Sequence, residues 1–164
     1  MRLIAIGRVK SDLKKISLAL DQGDLVHKPE LERMVDISNL ISRIVIEERF
    51  MDALEGIEGF SHIMVIFWTG CRVEEPLLVH PAGQVDMPKK GVFATRSPAR
   101  PNPLAVTTVE MLWREGRELV VKGLDAIDGT PVIDIKPHLP SYDAPANPRS
   151  SDWMQELEKR FHPE

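Results

Sequence analysis

Of the chain's 164 residues only one, Cys71, is a cysteine. That excludes an internal disulfide framework and suits a reducing cytoplasm. Long apolar runs are also missing: nothing approaches membrane-spanning length, and the opening "MRLIAIGRVKSDLKK" holds no apolar segment of the secretory kind. The expectation is a soluble, cytoplasmic protein that does not enter membranes. The ten glycines form neither G-x-G-x-x-G nor G-x-x-x-x-G-K, so the common dinucleotide and phosphate loops are absent. There is no G-x-S-x-G turn for a serine hydrolase. The five histidines (27, 62, 80, 138, 162) include no pair at helical ligand spacing, and a lone cysteine makes no zinc knuckle. No metal is therefore expected. A net charge of −4 argues against a generic nucleic-acid coat, and no DNA partner is expected.

What is present fits a globular protein. The composition is 43% hydrophobic and 28% charged, and a chain this long favours one domain able to bury about 70% of its unfolded surface. Most periodicity is strand-like. "LIAIGRV", "SRIVIEE", "SHIMVIFW", "GVFAT", "LAVTTVEML", "ELVVKGL" and "PVIDIKP" are short runs of β-branched and apolar residues bounded by Gly, Pro, Asp or Ser. Short turns between them predict a mainly β protein, a small antiparallel sheet or barrel, rather than a doubly wound parallel sheet. Hairpin turns are expected at Glu115-Gly116 and Asp128-Gly129. Helical turns are expected in "EERFMDALEG", in "KPELERMV" with Pro29 in its first turn, and in "DWMQELEKRF". In the last, Asp152 would cap the helix, and Trp153, Leu157 and Phe161 would form its apolar face. "HLPSYDAPANPRSS" before it reads as extended surface chain.

Charge is distributed unevenly. Between Asp86 and Glu110 stand Lys89, Lys90, Arg96 and Arg100 with no acid, a local +4 against −8 for the remainder. Such a patch points to an anionic ligand or a nucleic-acid backbone. Within it, the prolines of "TRSPARPNP" stiffen the chain before any ligand arrives. Arg96 and Arg100 offer planar forks for carboxylate or phosphate, and Asn102 is held between two prolines. A plain surface turn or a Pro-x-x-Pro docking ligand is the alternative. The second motif, "LDAIDGTPVIDIKPH", places Asp125 and Asp128 at a strand end before Thr130-Pro131. Carboxylates beside a tight turn can hold a polar ligand, or Asp128 and Gly129 can serve turn geometry alone. Asp134 reads as a solvent-facing strand residue, His62 as a strand-edge histidine, and Phe60, Phe67 and Trp68 as core.

Together, "GFSHIMVIFW" (59–68), "KGVFATRSPARPNPLAVTTVEML" (90–112) and "GLDAIDGTPVIDIKP" (123–137) resemble the TsaA/TrmO-like family, and "IGRVKS" (6–11) resembles its first strand. The resemblance implies an S-adenosylmethionine-binding antiparallel β-barrel over residues 1–143; the residues themselves read 144–164 as a Pro/Ser-rich segment and a helix packed on it. It implies a homodimer with the cofactor near the interface, and methylation of the exocyclic nitrogen of threonylcarbamoyl-adenosine beside the tRNA anticodon. By position, Phe93, Ala94, Thr95, Arg96, Ser97, Arg100 and Asn102 would join Asp125, Asp128, Gly129, Thr130 and Pro131 in one cofactor pocket. Lys89 and Lys90 would meet RNA, and His62 and Asp128 are candidates to accept the proton. An S-adenosylmethionine-binding regulatory module without turnover, or a methyltransferase for a small metabolite, stays open as the alternative.

Overall fold

Alternation governs the strands. In His62–Trp68, residues Ile63, Val65 and Phe67 are buried while Met64, Ile66 and Trp68 are half-buried. Each inward Ile, Val or Leu contributes about 1.5–3 kcal/mol, so strands of this pattern must close their apolar faces together. The computed structural model describes residues 2–15, 18–21, 24–28, 36–71 and 77–161. Its strands are β1 (Gly7–Lys10), β2 (Leu18–Asp21), β3 (Asp24–His27), β4 (Ile41–Ile46), β5 (His62–Trp68), β6 (Leu78–Val79), β7 (Lys90–Gly91), β8 (Leu104–Glu115), β9 (Glu118–Lys122) and β10 (Pro131–Pro137). Two helices follow, α1 (Pro140–Asp143) and α2 (Asp152–Phe161).

Six strands form a closed antiparallel barrel in the order β1-β10-β5-β8-β9-β4. Val9, Ile44, Ile46, Ile63, Val65, Val109, Leu119, Val121 and Val132 fill it. The mainly β expectation, with a few short helices including one near the C-terminus, is what the molecule shows. Two further antiparallel pairs, β2–β3 and β6–β7, stand outside the barrel.

Several local expectations need correction. Glu115-Gly116 is a true hairpin turn, with Gly116 at φ 59° between the paired Glu115 and Glu118. Asp128-Gly129 is not. Both edges of β9 are taken by β8 and β4, so the chain crosses over to place β10 between β1 and β5. "GVFAT" is a strand only at Gly91. Beyond it Val92–Ala94 curls into a 3-10 turn, because the amide and hydroxyl of Thr95 both donate to the Val92 carbonyl. "EERFMDALEG" is a 3-10 run over Glu48–Leu54 rather than an α-helix, and it has no side-chain cap at Glu47. Pro29–Val35, the core of the "KPELERMV" segment, lies outside the described residues. In the segment before α2, one helical turn forms at Pro140–Asp143, where the Leu139 amide donates to Asp143 Oδ2 at 2.7 Å. Ser151 occupies the cap position of α2, its carbonyl accepting from the amides of Met154 and Gln155, and Asp152 is the first helical residue. Leu157 is buried, but Phe161 is 49% exposed. Phe60 is exposed rather than core, whereas Phe67 is buried and Trp68 half-buried. Asp134 is half-buried; its carboxylate accepts from the Ile135 amide and pairs with Lys136.

The register decides what lies near what. Trp68 pairs with Leu104, and Phe67 with Val132. The start of β8 and the start of β10 therefore flank the C-terminal end of β5, and both sequence motifs arrive at the same end of the barrel.

Candidate functional site

The segment from Gly91 to Pro103 is folded on itself. The Ser97 amide donates to Thr95 Oγ1, and the Ala99 amide to Ser97 Oγ, both at 3.3 Å. Arg100 reaches back with Nη1 to the carbonyls of Thr95 (2.8 Å) and Ser97 (3.3 Å), and its guanidinium lies 6.0 Å from the Phe93 ring centroid. Thr69, at the end of β5, fastens the loop to the barrel. Its amide donates to the Pro103 carbonyl at 2.9 Å, and its hydroxyl lies 3.4 Å from the carbonyl of Pro98 and 3.3 Å from that of Pro103. Nothing in the motif itself signals Thr69.

These bonds separate the two arginines. Arg100 is half-buried and holds the loop together. Arg96 is exposed, makes no hydrogen bond or ion pair among the described residues, and lines a cavity of about 280 Å³. The walls of that cavity are the loop (Thr95, Arg96, Ser97, Pro98), the turn from His80 to Gly83, and Trp153, Met154 and Leu157 of α2. At its rim Ala82 has φ 49° and ψ 25°, a left-handed conformation that costs a non-glycine residue about 1–2 kcal/mol. Strain of this kind concentrates at binding sites. The helix is pinned there by Arg160 to Asp86 at 2.7 Å and by Lys90 Nζ, 5.9 Å from the Trp153 ring centroid.

Beneath the turn, the buried carboxylate of Asp24 in β3 accepts through Oδ2 from the His80 amide (3.2 Å). The same oxygen lies 2.8 Å from His80 Nδ1 and 3.3 Å from Lys89 Nζ. Thus both lysines expected to meet RNA also serve the site, Lys89 through Asp24 and Lys90 through Trp153. Phe93 is 82% exposed, and Ala94 and Asn102 are exposed, with the Asn102 carbonyl accepting from the Leu104 amide.

The second motif does not line this cavity. Asp128 and Gly129 border a separate groove of about 360 Å³ with Arg8, Lys10, Glu47 and Arg117. Within one chain the expected single pocket is therefore two. Asp128 is already committed. Its Oδ1 accepts from the Ser11 amide at 3.1 Å, and its Oδ2 pairs with Lys14 Nζ at 2.8 Å. The Lys14 ammonium first, then the Ser11 amide, hold its carboxyl below the ordinary range, which makes it a weak proton acceptor. Thr130 is buried with its carbonyl on the Val9 amide, and Pro131 pairs with Arg8. Asp125 is exposed and accepts from the Thr107 hydroxyl.

His62 is not brought to Asp128. It begins β5, opposite Glu110, six residues from Trp68, or about 20 Å along a strand. Its neighbours are Ser61 and, edge-on, His138 at 6.4 Å. Among the described residues no group of three His, Cys, Asp or Glu could hold a metal ion, and no helix is long and apolar enough to cross a membrane.

The closed six-stranded barrel carries a self-folded cationic loop at one end and a cavity walled by α2, a candidate small-ligand site with no glycine-rich nucleotide loop. The chain belongs to the family described as the tRNA-methyltransferase O N-terminal domain, which it matches over residues 22–144. A probable S-adenosyl-L-methionine-binding protein of Archaeoglobus fulgidus is 40% identical over 95% of this chain and 38% of its own length. A second protein of that organism, an S-adenosyl-L-methionine-binding protein, is 40% identical over 87% of this chain and 93% of its own. The mouse tRNA (adenine(37)-N6)-methyltransferase is 40% identical over 58% of this chain, which spans only 22% of that enzyme. Among solved structures, TrmO from Pseudomonas aeruginosa superposes with a TM-score of 0.67 at 27% identity, covering 93% of this chain and 62% of that one. The family model starts at residue 22 and stops at 144, so α2 lies beyond it.

Proposed function

We propose that this protein is an S-adenosylmethionine-dependent methyltransferase acting on the exocyclic nitrogen of adenosine, in its threonylcarbamoyl form, beside the anticodon of tRNA. The observation that carries the reading is an Arg96 with no hydrogen bond or ion pair among the described residues, lining a cavity shared with Trp153. The residues present suit the cofactor's parts. Arg96 matches a carboxylate, and the Trp153 face matches a purine ring or a cationic sulfonium. When bound, the cofactor supplies a methyl group on positively charged sulfur, open to in-line attack. The chain's share is positioning: the Arg100-stapled loop keeps Arg96 in place, so little ordering remains to be done on binding. The cationic face around Lys89 and Lys90 would meet the RNA backbone. Exposed Leu77, Leu78 and Phe93 beside the loop support a homodimer that covers them.

The archaeal relatives named only for S-adenosyl-L-methionine binding favour a second reading, a cofactor-binding module without turnover. Incubation with methyl-labelled S-adenosylmethionine and total RNA, then nuclease treatment, separates them. Label in RNA that disappears on digestion supports the methyltransferase. Tight binding with no labelled product supports the module, and label in a small molecule alone supports a metabolite methyltransferase.

A further inference from the structure

The cavity contains a histidine that the sequence does not single out. His80 follows β6 and opens the turn through Pro81, Ala82 and Gly83, closed by the Gly83 amide on the His80 carbonyl at 3.0 Å. Asp24 grips it twice, at the backbone amide and at ring Nδ1. The Asp24 side chain is only 7% exposed and that of His80 only 19%. A buried carboxylate must be matched by donors, and here the peptide N–H, the ring and Lys89 converge on one oxygen.

The carboxylate at Nδ1 favours one tautomer. An ionised Asp24 only accepts, so Nδ1 of a neutral His80 carries the hydrogen, and Nε2 keeps its lone pair. Nε2 has no hydrogen-bond partner among the described residues, and the ring lines the same cavity as Arg96 and Trp153. A base fixed by a buried acid and left with one open acceptor is the geometry of general-base catalysis. Neither sequence-expected acceptor offers it: Asp128 is occupied by Lys14 and Ser11, and His62 lies at the other end of β5. Left-handed Ala82 supports the same assignment, because a strained turn at this point holds the histidine over the cavity.

We propose that His80 is the proton acceptor of the methyl transfer and that Asp24 is its positioning residue, an inference that rests on the methyltransferase reading. The exocyclic nitrogen is a poor nucleophile because its lone pair is delocalised into the ring. As the bond from that nitrogen to the methyl carbon forms, the carbon–sulfur bond breaks and its electron pair stays on sulfur, leaving a neutral thioether. The nitrogen's proton passes to Nε2, giving an imidazolium that faces the Asp24 carboxylate through Nδ1–H. Charge is conserved: the sulfonium's positive charge ends on His80, and solvent removes the proton afterwards. Lys89 is ion-paired with Asp24, and Arg96 lines the same cavity as His80.

The test pairs single-turnover methyl transfer with two readouts that need no turnover: cofactor affinity by calorimetry, and nitrogen-15 NMR of the imidazole. His80→Asn keeps an amide that can donate to Asp24. It is expected to slow transfer about 100- to 10,000-fold, the range of a lost general base, while leaving cofactor affinity within about threefold. Asp24→Asn is expected to lower kcat more than it raises KM. In the wild-type protein, His80 is expected to show protonated Nδ1 and bare Nε2, and its Nε2 resonance to shift when S-adenosylmethionine is added. A His80→Asn protein that transfers methyl at the wild-type rate overturns the assignment while the methyltransferase reading stands. So does the opposite tautomer, or an Nε2 signal indifferent to the cofactor. A wild-type protein that binds the cofactor and methylates nothing overturns the methyltransferase reading itself, and the role of His80 with it.

Discussion

Arg96 and Arg100 sit four residues apart in one loop, yet the structure predicts opposite consequences for losing each. Arg100→Ala removes the bonds to the carbonyls of Thr95 and Ser97. Charge-assisted bonds of this kind contribute about 1.5–3 kcal/mol each when well buried, and less at a half-buried site that water can reach. A net loss of about 1–2 kcal/mol is expected, lowering Tm by about 2–8 °C for a chain of this length. Cofactor affinity should fall only about 2- to 10-fold, the cost of reordering a loosened loop. Arg96→Ala breaks no hydrogen bond or ion pair among the described residues, so stability should stay within about 0.5 kcal/mol. Affinity should instead fall by about 1.5–3 kcal/mol, roughly 10- to 150-fold, because the carboxylate partner is lost. Thermal melts and calorimetric titration with S-adenosylmethionine read both quantities on the same samples. The reasoning is refuted if Arg100→Ala melts like the wild type, or if Arg96→Ala binds within about twofold of it.

Trp153→Ala should open the cavity wall contributed by α2 and weaken cofactor binding by about 1–3 kcal/mol, read by the same titration, with Trp153→Phe recovering most of it. Ala82→Val puts a β-branched residue at φ 49° and should cost about 1–2 kcal/mol in urea unfolding, whereas Ala82→Gly should not destabilise. Asp128→Asn loses the partner of Lys14 and Ser11. Because the folded-state carboxyl lies below its ordinary value, its stabilising contribution is complete near neutral pH and lost as pH falls through the folded-state value. The gap between wild-type and variant unfolding midpoints should therefore be open at neutral pH and narrow only as the solution is acidified below the ordinary carboxylate range. A gap that persists in acid would show that the carboxylate's charge is not what matters.

The barrel was legible because a closed sheet with one buried face forces alternation, which β5 carries along its whole length, and because β9 adds a continuous buried run at Leu119–Val121. Where an element is held by a few bonds rather than a face, the pattern misleads. "GVFAT" has strand composition, but only Gly91 pairs, and the Thr95 hydroxyl curls the rest. The "DGT" turn looks like a hairpin because turn chemistry is local, while the pairing of β10 depends on which barrel edges are free. The cationic loop raised the expectation of an anion site, but its arginines could not be told apart from their spacing. That distinction rests on carbonyl bonds made only in the folded loop. His80 had one faint signal, its place before Pro-Ala-Gly. Its partner Asp24 lies 56 residues away in sequence, and Trp153 enters from beyond the family match.

The most direct test of the account is a crystal structure of the protein grown with S-adenosylmethionine. The account predicts the cofactor between the Thr95–Pro98 segment and α2, its carboxylate on Arg96 and its methyl-bearing sulfur within reach of the His80 side of the cavity. Cofactor density in the groove bordered by Arg8, Lys10 and Asp128, with the cavity beside Trp153 left to solvent, would contradict it.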